Sequence, residues 1–193
     1  MSDYKQPEFY RFNRDSLLLV HRILESDISA HKILDLGAGC GVIGIELAIH
    51  LNPTLLTSIE IQKDFLPYLK TNSEYFIPSI RHKIVSESFS TWNPDTEYDL
   101  VVSNPPYYLP DSGQPSSDMR RGIARTFSID GWPSLLGCIE RSLTKEGRAF
   151  VVVKNEKKIV ELIREEVSKT QLKPQEEVFS DLIVLELMRL NID

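Results

Sequence analysis

Residues 33–44 read ILDLGAGCGVIG, an apolar run that ends in a glycine-rich loop. Residues 33–36 are typical of a short buried strand, and the apolar segment 42–51 behind the glycines has the length of a helix. Glycine adopts positive φ angles and lets a ligand approach the backbone closely. Since ligands of parallel α/β sheets bind at the carboxyl ends of strands, we expect this loop to bind a small, nucleotide-like molecule.

Outward from this loop, strand-like and helix-like segments alternate along the chain. Strands are predicted over residues 55–61, 82–85, 98–103 and 147–153, and helices over residues 16–26, 63–75, 132–143 and 159–167. The last two strands, 177–179 and 182–190, have no helix between them and should therefore pair antiparallel. The pattern predicts an α/β fold with a mostly parallel, seven-stranded, Rossmann-like sheet and a C-terminal antiparallel hairpin.

The composition is that of an ordinary globular protein. The 193 residues suffice for a single domain, which we expect to comprise an N-terminal helical extension, 1–30, and a core, 31–193. The N-terminus is polar and no apolar run approaches the length of a membrane span, so we expect a cytoplasmic protein. The two cysteines and four histidines are scattered and predict no metal site. A net charge of -6 argues against broad, non-specific binding of nucleic acids.

The spacing of the glycines leaves two ligands open. Gly39, Gly41 and Gly44 also match a dinucleotide fingerprint, in which Glu60 would bind a ribose. Asp35, two residues before the first glycine, favours a cationic ligand, because a carboxylate beside a pyrophosphate would repel it. An acid at this position resembles motif I of S-adenosylmethionine-dependent methyltransferases, and the alternation of strands and helices has the outline of their class I fold.

This resemblance implies S-adenosyl-L-methionine as the cofactor, together with a set of residues that bind it. Asp35 would contact the methionine end, Glu60 would accept hydrogen bonds from the ribose hydroxyls, and Ile61 would border the adenine. After the third strand, Ser88 would bond the adenine amino group and Phe89 would pack on the ring, or both are ordinary residues of a loop or of the core. The full set of cofactor-binding residues that we predict is Asp35, Gly37, Ala38, Gly39, Gly41, Glu60, Ile61, Ser88, Phe89 and Asn104.

The tetrapeptide Asn104-Pro105-Pro106-Tyr107 directly follows the fourth predicted strand. The prolines restrict the backbone, so the Asn104 side-chain oxygen and the Pro105 carbonyl become two fixed acceptors for a planar NH2 group. Tyr107 offers a ring face for stacking, and Tyr108 is either a second wall of the pocket or a surface aromatic. The tetrapeptide resembles motif IV of amino methyltransferases that modify adenine N6, cytosine N4 or glutamine N5. We therefore predict all four of its residues to be catalytic.

Two further stretches resemble one subfamily, the bacterial adenine-N6 methyltransferases that act in the anticodon region of valine tRNA. They are FYRFNRDSLLL at residues 9–19 and RGIAR at residues 121–125. The resemblance implies tRNA as the partner and Arg121 and Arg125 as substrate-binding residues, and guanidinium forks suit phosphate. One departure is Thr126, where relatives often carry His or Asn.

Other acceptors and a non-catalytic role stay open. A release-factor glutamine-N5 methyltransferase also carries this tetrapeptide, and the acidic charge favours it. Such enzymes usually have a separate N-terminal helical domain, for which the roughly thirty residues before the first strand are too few. A DNA adenine methyltransferase would need a target-recognition domain. A cofactor-binding module without catalysis is the last alternative, and the intact motif at Asn104 argues against it.

Overall fold

The structure is a computed structural model that describes residues 3–106 and 131–190. Four of the predicted site residues, Tyr107, Tyr108, Arg121 and Arg125, lie outside the described residues. Their roles therefore stay predictions from the sequence.

The described residues form a seven-stranded sheet with the strand order β3-β2-β1-β4-β5-β7-β6. Its strands are β1 (Lys32–Leu36), β2 (Leu55–Ile59), β3 (Arg81–Val85), β4 (Tyr98–Ser103), β5 (Leu143–Lys154), β6 (Leu172–Phe179) and β7 (Leu182–Arg189). The first five strands pair in parallel, whereas β7 runs antiparallel to both β5 and β6. The predicted α/β sheet with a C-terminal antiparallel hairpin is confirmed.

Helices cover both faces of this sheet. They are α1 (Arg14–Glu25), α2 (Val42–Leu51), α3 (Leu66–Phe76), α4 (Gly131–Ser142) and α5 (Lys157–Ser168). Successive residues of β1 point to opposite faces, as the pleat of a strand requires. Ile33 packs into the core that also holds residues of α1 and α2, whereas Leu34 and Leu36 pack into the core under α4 and α5.

The three largest differences from the sequence-based prediction concern the residues at which elements begin. β6 begins at Leu172 instead of residue 177, although Pro174 lies within it, because an edge strand tolerates a residue without an N–H group. β5 begins at Leu143, before its apolar run. The helix predicted from residue 63 begins as a single 3₁₀ turn, Lys63–Phe65, and becomes α-helical where Pro67 occupies the first turn.

The N-terminal residues bring α1 to the carboxyl edge of the sheet. Asn13 caps the helix, since its side-chain oxygen accepts the Asp15 N–H at 3.2 Å. The Asp15 carboxylate lies 3.9 Å from Nζ of Lys154, the last residue of β5, and Lys154 also bonds Asp181 at 2.9 Å. The first turn of α1 is thus tied to the end of β5, and this places its next residue beside the end of β4.

Candidate cofactor and acceptor site

The glycine loop after β1 has a left-handed backbone and an open concave side. Gly37 and Gly39 have φ angles of 75° and 55°. A Cβ atom added at either position would have no heavy atom within 4 Å, so the loop leaves room for a ligand against its backbone. The loop is held to β2 because the N–H groups of Gly37 and Ala38 both donate to the Ile59 carbonyl.

Asp35 places a buried carboxylate directly below this loop. Its side chain is 1% exposed, and Oδ2 accepts the Gly44 N–H at the start of α2, at 3.0 Å. Within the described part of the chain, Oδ1 of Asp35 is buried and has no hydrogen-bond donor. Burial raises the pKa of the Asp35 carboxyl to about 7, and the negative charge of Glu60 adds to this rise. An unpartnered buried oxygen of this kind suits a cationic ligand.

Glu60 lies at the carboxyl end of β2, where it joins the loop to the chain after the strand. Its Oε2 accepts the Gly39 N–H at 2.8 Å and its Oε1 accepts the Gln62 N–H at 2.7 Å. Burial raises the pKa of this carboxyl, and the backbone donors oppose the rise. Each carboxylate oxygen has two lone pairs, so Glu60 retains the capacity to accept hydrogen bonds from ribose hydroxyls.

The residues predicted to surround the adenine follow β2 and β3. Ile61 is 60% exposed, so its apolar side chain is accessible to an apolar ligand. The Ser88 hydroxyl bonds the Ser90 hydroxyl at 2.7 Å in the turn after β3. The Phe89 side chain packs, partly buried, against the core that contains Trp92. Part of the Phe89 side chain thus contributes to the core, and its contact with the adenine stays a prediction.

Asn104 leaves the sheet beside the glycine loop. β1 and β4 are neighbouring parallel strands in which Leu36 pairs with Ser103, so the residues after them emerge side by side. The Ser103 hydroxyl donates to the Leu36 carbonyl at 2.8 Å and joins the two strand ends. Asn104 is half-buried, and its Nδ2 donates to the Ser16 hydroxyl oxygen of α1 at 3.0 Å. Pro105 is buried directly behind it.

Two of the residues that organise this site carry no signal in the sequence. Asn72 of α3 is 1% exposed, and its Nδ2 donates to the carbonyls of Cys40, in the glycine loop, and Lys5. Its Oδ1 accepts the Lys5 N–H at 2.9 Å. The amide of Asn72 therefore links the N-terminal segment to the glycine loop. Ser16 is the other, and nothing in helical periodicity distinguishes it from its neighbours.

The described residues fit the predicted cofactor at three points. Gly37 and Gly39 leave open space beside the loop because they have no side chain. Asp35 has a buried oxygen without a hydrogen-bond donor, which suits a cation, and Ile61 has an exposed apolar side chain at the same edge of the sheet. Over residues 3–106 and 131–190, no three His, Cys, Asp or Glu side chains are grouped as a metal site would need. None of the helices in these ranges has the length and apolar character to cross a membrane.

Curated relatives of this chain are tRNA methyltransferases. A tRNA1(Val) (adenine(37)-N6)-methyltransferase of Pedobacter heparinus is 31% identical over 143 residues, covering 74% of this chain and 59% of that protein. The protein of the same name from Parabacteroides distasonis is 32% identical over 139 residues, covering 70% and 57%. The chain therefore spans less than two thirds of the length of these relatives.

Solved structures of methyltransferases share the fold at low sequence identity. A 16S rRNA methyltransferase of T. thermophilus, in complex with AdoMet and guanosine, superposes with a TM-score of 0.69 at 18% identity, covering 93% of this chain and 44% of that one. A ribosomal protein L11 methylase of Lactobacillus delbrueckii superposes with a TM-score of 0.64 at 14% identity, covering 91% and 77%. The family model described as Methyltransferase small domain matches residues 10–182, most of the chain. The glycine loop and Asn104 at one sheet edge, together with this match, show that the chain belongs to the methyltransferase small domain family.

Proposed function

We propose that the protein transfers a methyl group from S-adenosyl-L-methionine to the exocyclic N6 amino group of an adenine in tRNA. The observation that carries this proposal is the emergence of Asn104 beside the glycine loop, at strand ends joined by Ser103. A methyl donor bound by the glycine loop and a methyl acceptor bound by Asn104 would then lie next to each other. The names of the curated relatives support the choice of tRNA, and a tRNA acceptor agrees with the cytoplasmic location expected from the sequence.

The residues around the loop would hold the cofactor by charge and shape. Asp35 faces the cationic methionine end, Glu60 accepts hydrogen bonds from the ribose, and Ile61 with Ser88 and Phe89 borders the adenine. The backbone at Gly37 and Gly39, where no side chain fills the space, would lie against the cofactor. S-adenosyl-L-methionine supplies, when bound, a methyl group on a positively charged sulfur. The buried carboxylates of Asp35 and Glu60 repel each other, and a positively charged sulfur bound beside them would reduce this repulsion.

Asn104 and the Pro105 carbonyl would orient the nitrogen that is methylated. An adenine N6 carries two protons and a lone pair that is delocalised into the ring, so it is a weak nucleophile. Two acceptors that bind both protons favour a pyramidal nitrogen and direct its lone pair at the methyl group. As the nitrogen–carbon bond forms, the bond from the methyl carbon to sulfur breaks, S-adenosylhomocysteine leaves, and the methylated nitrogen loses one proton to water. Asn104 and Pro105 contribute orientation and electrostatic stabilisation, without an acid–base pair. Tyr107 and Tyr108 would stack on the base, and Arg121 and Arg125 would bind phosphates of the tRNA.

A glutamine side chain of a protein is the second candidate acceptor, because an amide NH2 presents the same two protons. The net charge of -6 favours it, since a polyanion is repelled by an acidic surface.

Labelling separates these acceptors. The protein is incubated with S-adenosyl-L-methionine labelled in the methyl group and, separately, with total tRNA, DNA and release factors. We expect label in tRNA, recovered as N6-methyladenosine, and none with Asn104→Ala, whose cofactor affinity should change less than about threefold. Label in release factor alone would contradict the tRNA proposal, and an absence of label in every fraction would favour a non-catalytic module.

A further inference from the structure

The carbonyl group of Cys40, in the glycine loop, is bound by a side chain that lies outside the loop. Nδ2 of Asn72, in α3, donates to this carbonyl at 2.9 Å, and Asn72 is 1% exposed. The other side of the same peptide group is held as well, because the Gly41 N–H donates to the Ala38 carbonyl at 2.8 Å. Both polar atoms of the peptide between Cys40 and Gly41 are therefore fixed.

This peptide group sets the shape of the part of the loop that faces the ligand. The bond from Gly41 to the Ala38 carbonyl closes a turn that has Gly39 and Cys40 at its centre. Gly39, with a φ angle of 55°, is one of the positions at which the backbone leaves open space for a ligand. If the Cys40 carbonyl turned away, the dihedral angles of the turn would change with it, and so would that space.

The amide of Asn72 fits its partners in one orientation only. Its NH2 group donates to two carbonyls, those of Cys40 and Lys5, and its oxygen accepts the Lys5 N–H at 2.9 Å. A carbonyl only accepts and a backbone N–H only donates, so an inverted amide would lose all three hydrogen bonds. Because one rigid, planar group makes all three, each bond favours the other two.

The N-terminal segment, residues 4–12, is anchored beside Lys5 by contacts of its own. The Tyr4 ring stacks on Phe76 with 4.5 Å between the ring centroids, and its hydroxyl donates to Oε1 of Glu46 at 3.0 Å. These contacts hold the segment to α2 and α3 rather than to the glycine loop. The amide in α3 thus joins a separately anchored segment to the loop.

We propose that Asn72 is a positioning residue of the cofactor site, through which the docking of the N-terminal segment and the binding of S-adenosyl-L-methionine favour each other. Asn72 acts through the backbone of the glycine loop and needs no contact with the cofactor. The inference rests on the binding of the cofactor by this loop, which is part of the proposed function, and does not depend on the identity of the methyl acceptor. It assigns part of the affinity for the cofactor to residues that precede the first strand.

Calorimetric titration tests the positioning role. Asn72→Ala removes the donor to the Cys40 carbonyl, and Kd for S-adenosyl-L-methionine should rise about tenfold, as expected for the loss of one hydrogen bond. Ser73→Ala is the matched control, since Ser73 is also buried in α3 and its hydroxyl donates to the Lys70 carbonyl of the same helix at 2.9 Å. Its Kd should change less than about twofold. The variants are compared at a temperature at which urea unfolding shows them to be folded, and an unchanged Kd in Asn72→Ala would overturn the proposal.

Tyr4→Leu tests whether the segment contributes through Asn72. This change removes the stacking on Phe76 and the hydrogen bond to Glu46, neither of which belongs to the glycine loop. Kd for S-adenosyl-L-methionine should rise about threefold in the natural background and less than about 1.5-fold in the Asn72→Ala background, where the link is already absent. An equal rise in both backgrounds, or no rise in either, would overturn the coupling.

Hydrogen exchange at the Lys5 N–H, followed by ¹⁵N NMR, tests the coupling in the natural protein without any substitution. Coupling between two sites is reciprocal, so bound cofactor should slow this exchange at least about threefold. In Asn72→Ala the exchange should be faster, and the cofactor should leave its rate unchanged. A rate in the natural protein that does not respond to the cofactor would overturn the proposal.

The same titrations separate a failure of this inference from a failure of the proposed function. If the natural protein does not bind S-adenosyl-L-methionine, the proposed function and the role of Asn72 are both wrong. If the natural protein and Asn72→Ala bind it equally well, only the role of Asn72 is wrong.

Discussion

At the residue scale, we expect Asp35 to couple the binding of the cofactor to pH. Its pKa is raised to about 7 by burial, so the carboxyl of the cofactor-free protein is largely protonated below neutral pH. A cationic ligand favours the ionised form. We therefore expect the affinity for S-adenosyl-L-methionine to rise with pH up to about 7 and to level off above it. Calorimetric titration between about pH 5.5 and 8.5 measures this. Asp35→Asn should bind S-adenosyl-L-methionine more weakly than the natural protein at pH 8, and its affinity should not change with pH. An affinity that still rises with pH in this variant would contradict the assignment of the pH dependence to Asp35.

The same carboxyl should make the cofactor-free protein less stable as the pH rises. In the unfolded chain Asp35 ionises near its usual pKa of 3.8, whereas in the folded protein it keeps its proton to about 7. The folded state therefore binds more protons in this range, and the free energy of unfolding falls as the pH rises through it. Urea unfolding of Asp35→Asn and of the natural protein at pH 5 and pH 8 tests this. The variant should gain more stability relative to the natural protein at pH 8 than at pH 5.

Two glycines of the loop should differ in whether their substitution affects the stability of the protein or the binding of the cofactor. Gly41 has a φ angle of 85°, and a Cβ atom there would lie 2.4 Å from Cδ1 of Leu69 and 2.8 Å from Cδ1 of Ile45. Gly41→Ala should therefore lower the free energy of unfolding by about 2–5 kcal/mol, from backbone strain and overpacking together. Gly37→Ala meets no atom within 4 Å and should cost only about 1–2 kcal/mol of strain. It should still weaken cofactor binding, because its methyl group enters the cradle. Equal losses of stability in the two variants would contradict this interpretation.

At the element scale, α1 links the N-terminal extension to the acceptor site. Leu19 is fully buried in the core on the α2 side of the sheet, one turn after Ser16. Leu19→Ala should cost about 2–5 kcal/mol of stability and also lower kcat, because α1 loses packing that keeps it in contact with Asn104, the residue proposed to bind the acceptor. Ile163→Ala is the matched change in α5, on the opposite face, and should cost a similar amount without a change in kcat. Chemical denaturation and single-turnover methyl transfer, both at a temperature where the variants stay folded, measure the two effects.

At the scale of the whole molecule, the net charge of -6 means that the proposed binding of tRNA would need a local cationic surface. Arg121 and Arg125 are the residues that we propose for it. Arg121→Gln and Arg125→Gln together should weaken tRNA binding and flatten its dependence on salt, by a slope of about 0.7–0.9 for each phosphate that the variant no longer binds. Lys145→Gln is the control, since Lys145 is exposed near the amino end of β5, at the opposite edge of the sheet. Filter binding from low to physiological salt measures how the affinity for tRNA depends on salt. If Lys145→Gln weakens tRNA binding as much as the arginine substitutions do, a local arginine surface is excluded.

Much of this architecture was predictable from local sequence patterns. The bounds of α2 and β4 agree with their predicted ranges. The mostly apolar segment of α2 lies between Gly41 and Pro53, and the apolar run of β4 ends just before Asn104 and the two prolines. The start of β6 at Leu172 was not predictable, since a polar edge strand has neither alternation nor apolar continuity. The first turn before α3 was missed because the local pattern does not separate a 3₁₀ turn from an α-helix.

By itself, the sequence determined the order and type of the elements and the placement of Asp35, Glu60 and Asn104 at strand ends. It could do so because periodicity and turn residues act between neighbours along the chain. Only the tertiary structure decided which side chains meet. The bond between Asn104 and Ser16 spans 88 positions and that between Asn72 and the Cys40 carbonyl spans 32. Such pairs depend on how a helix docks against the sheet and against another loop, and no local pattern records that geometry.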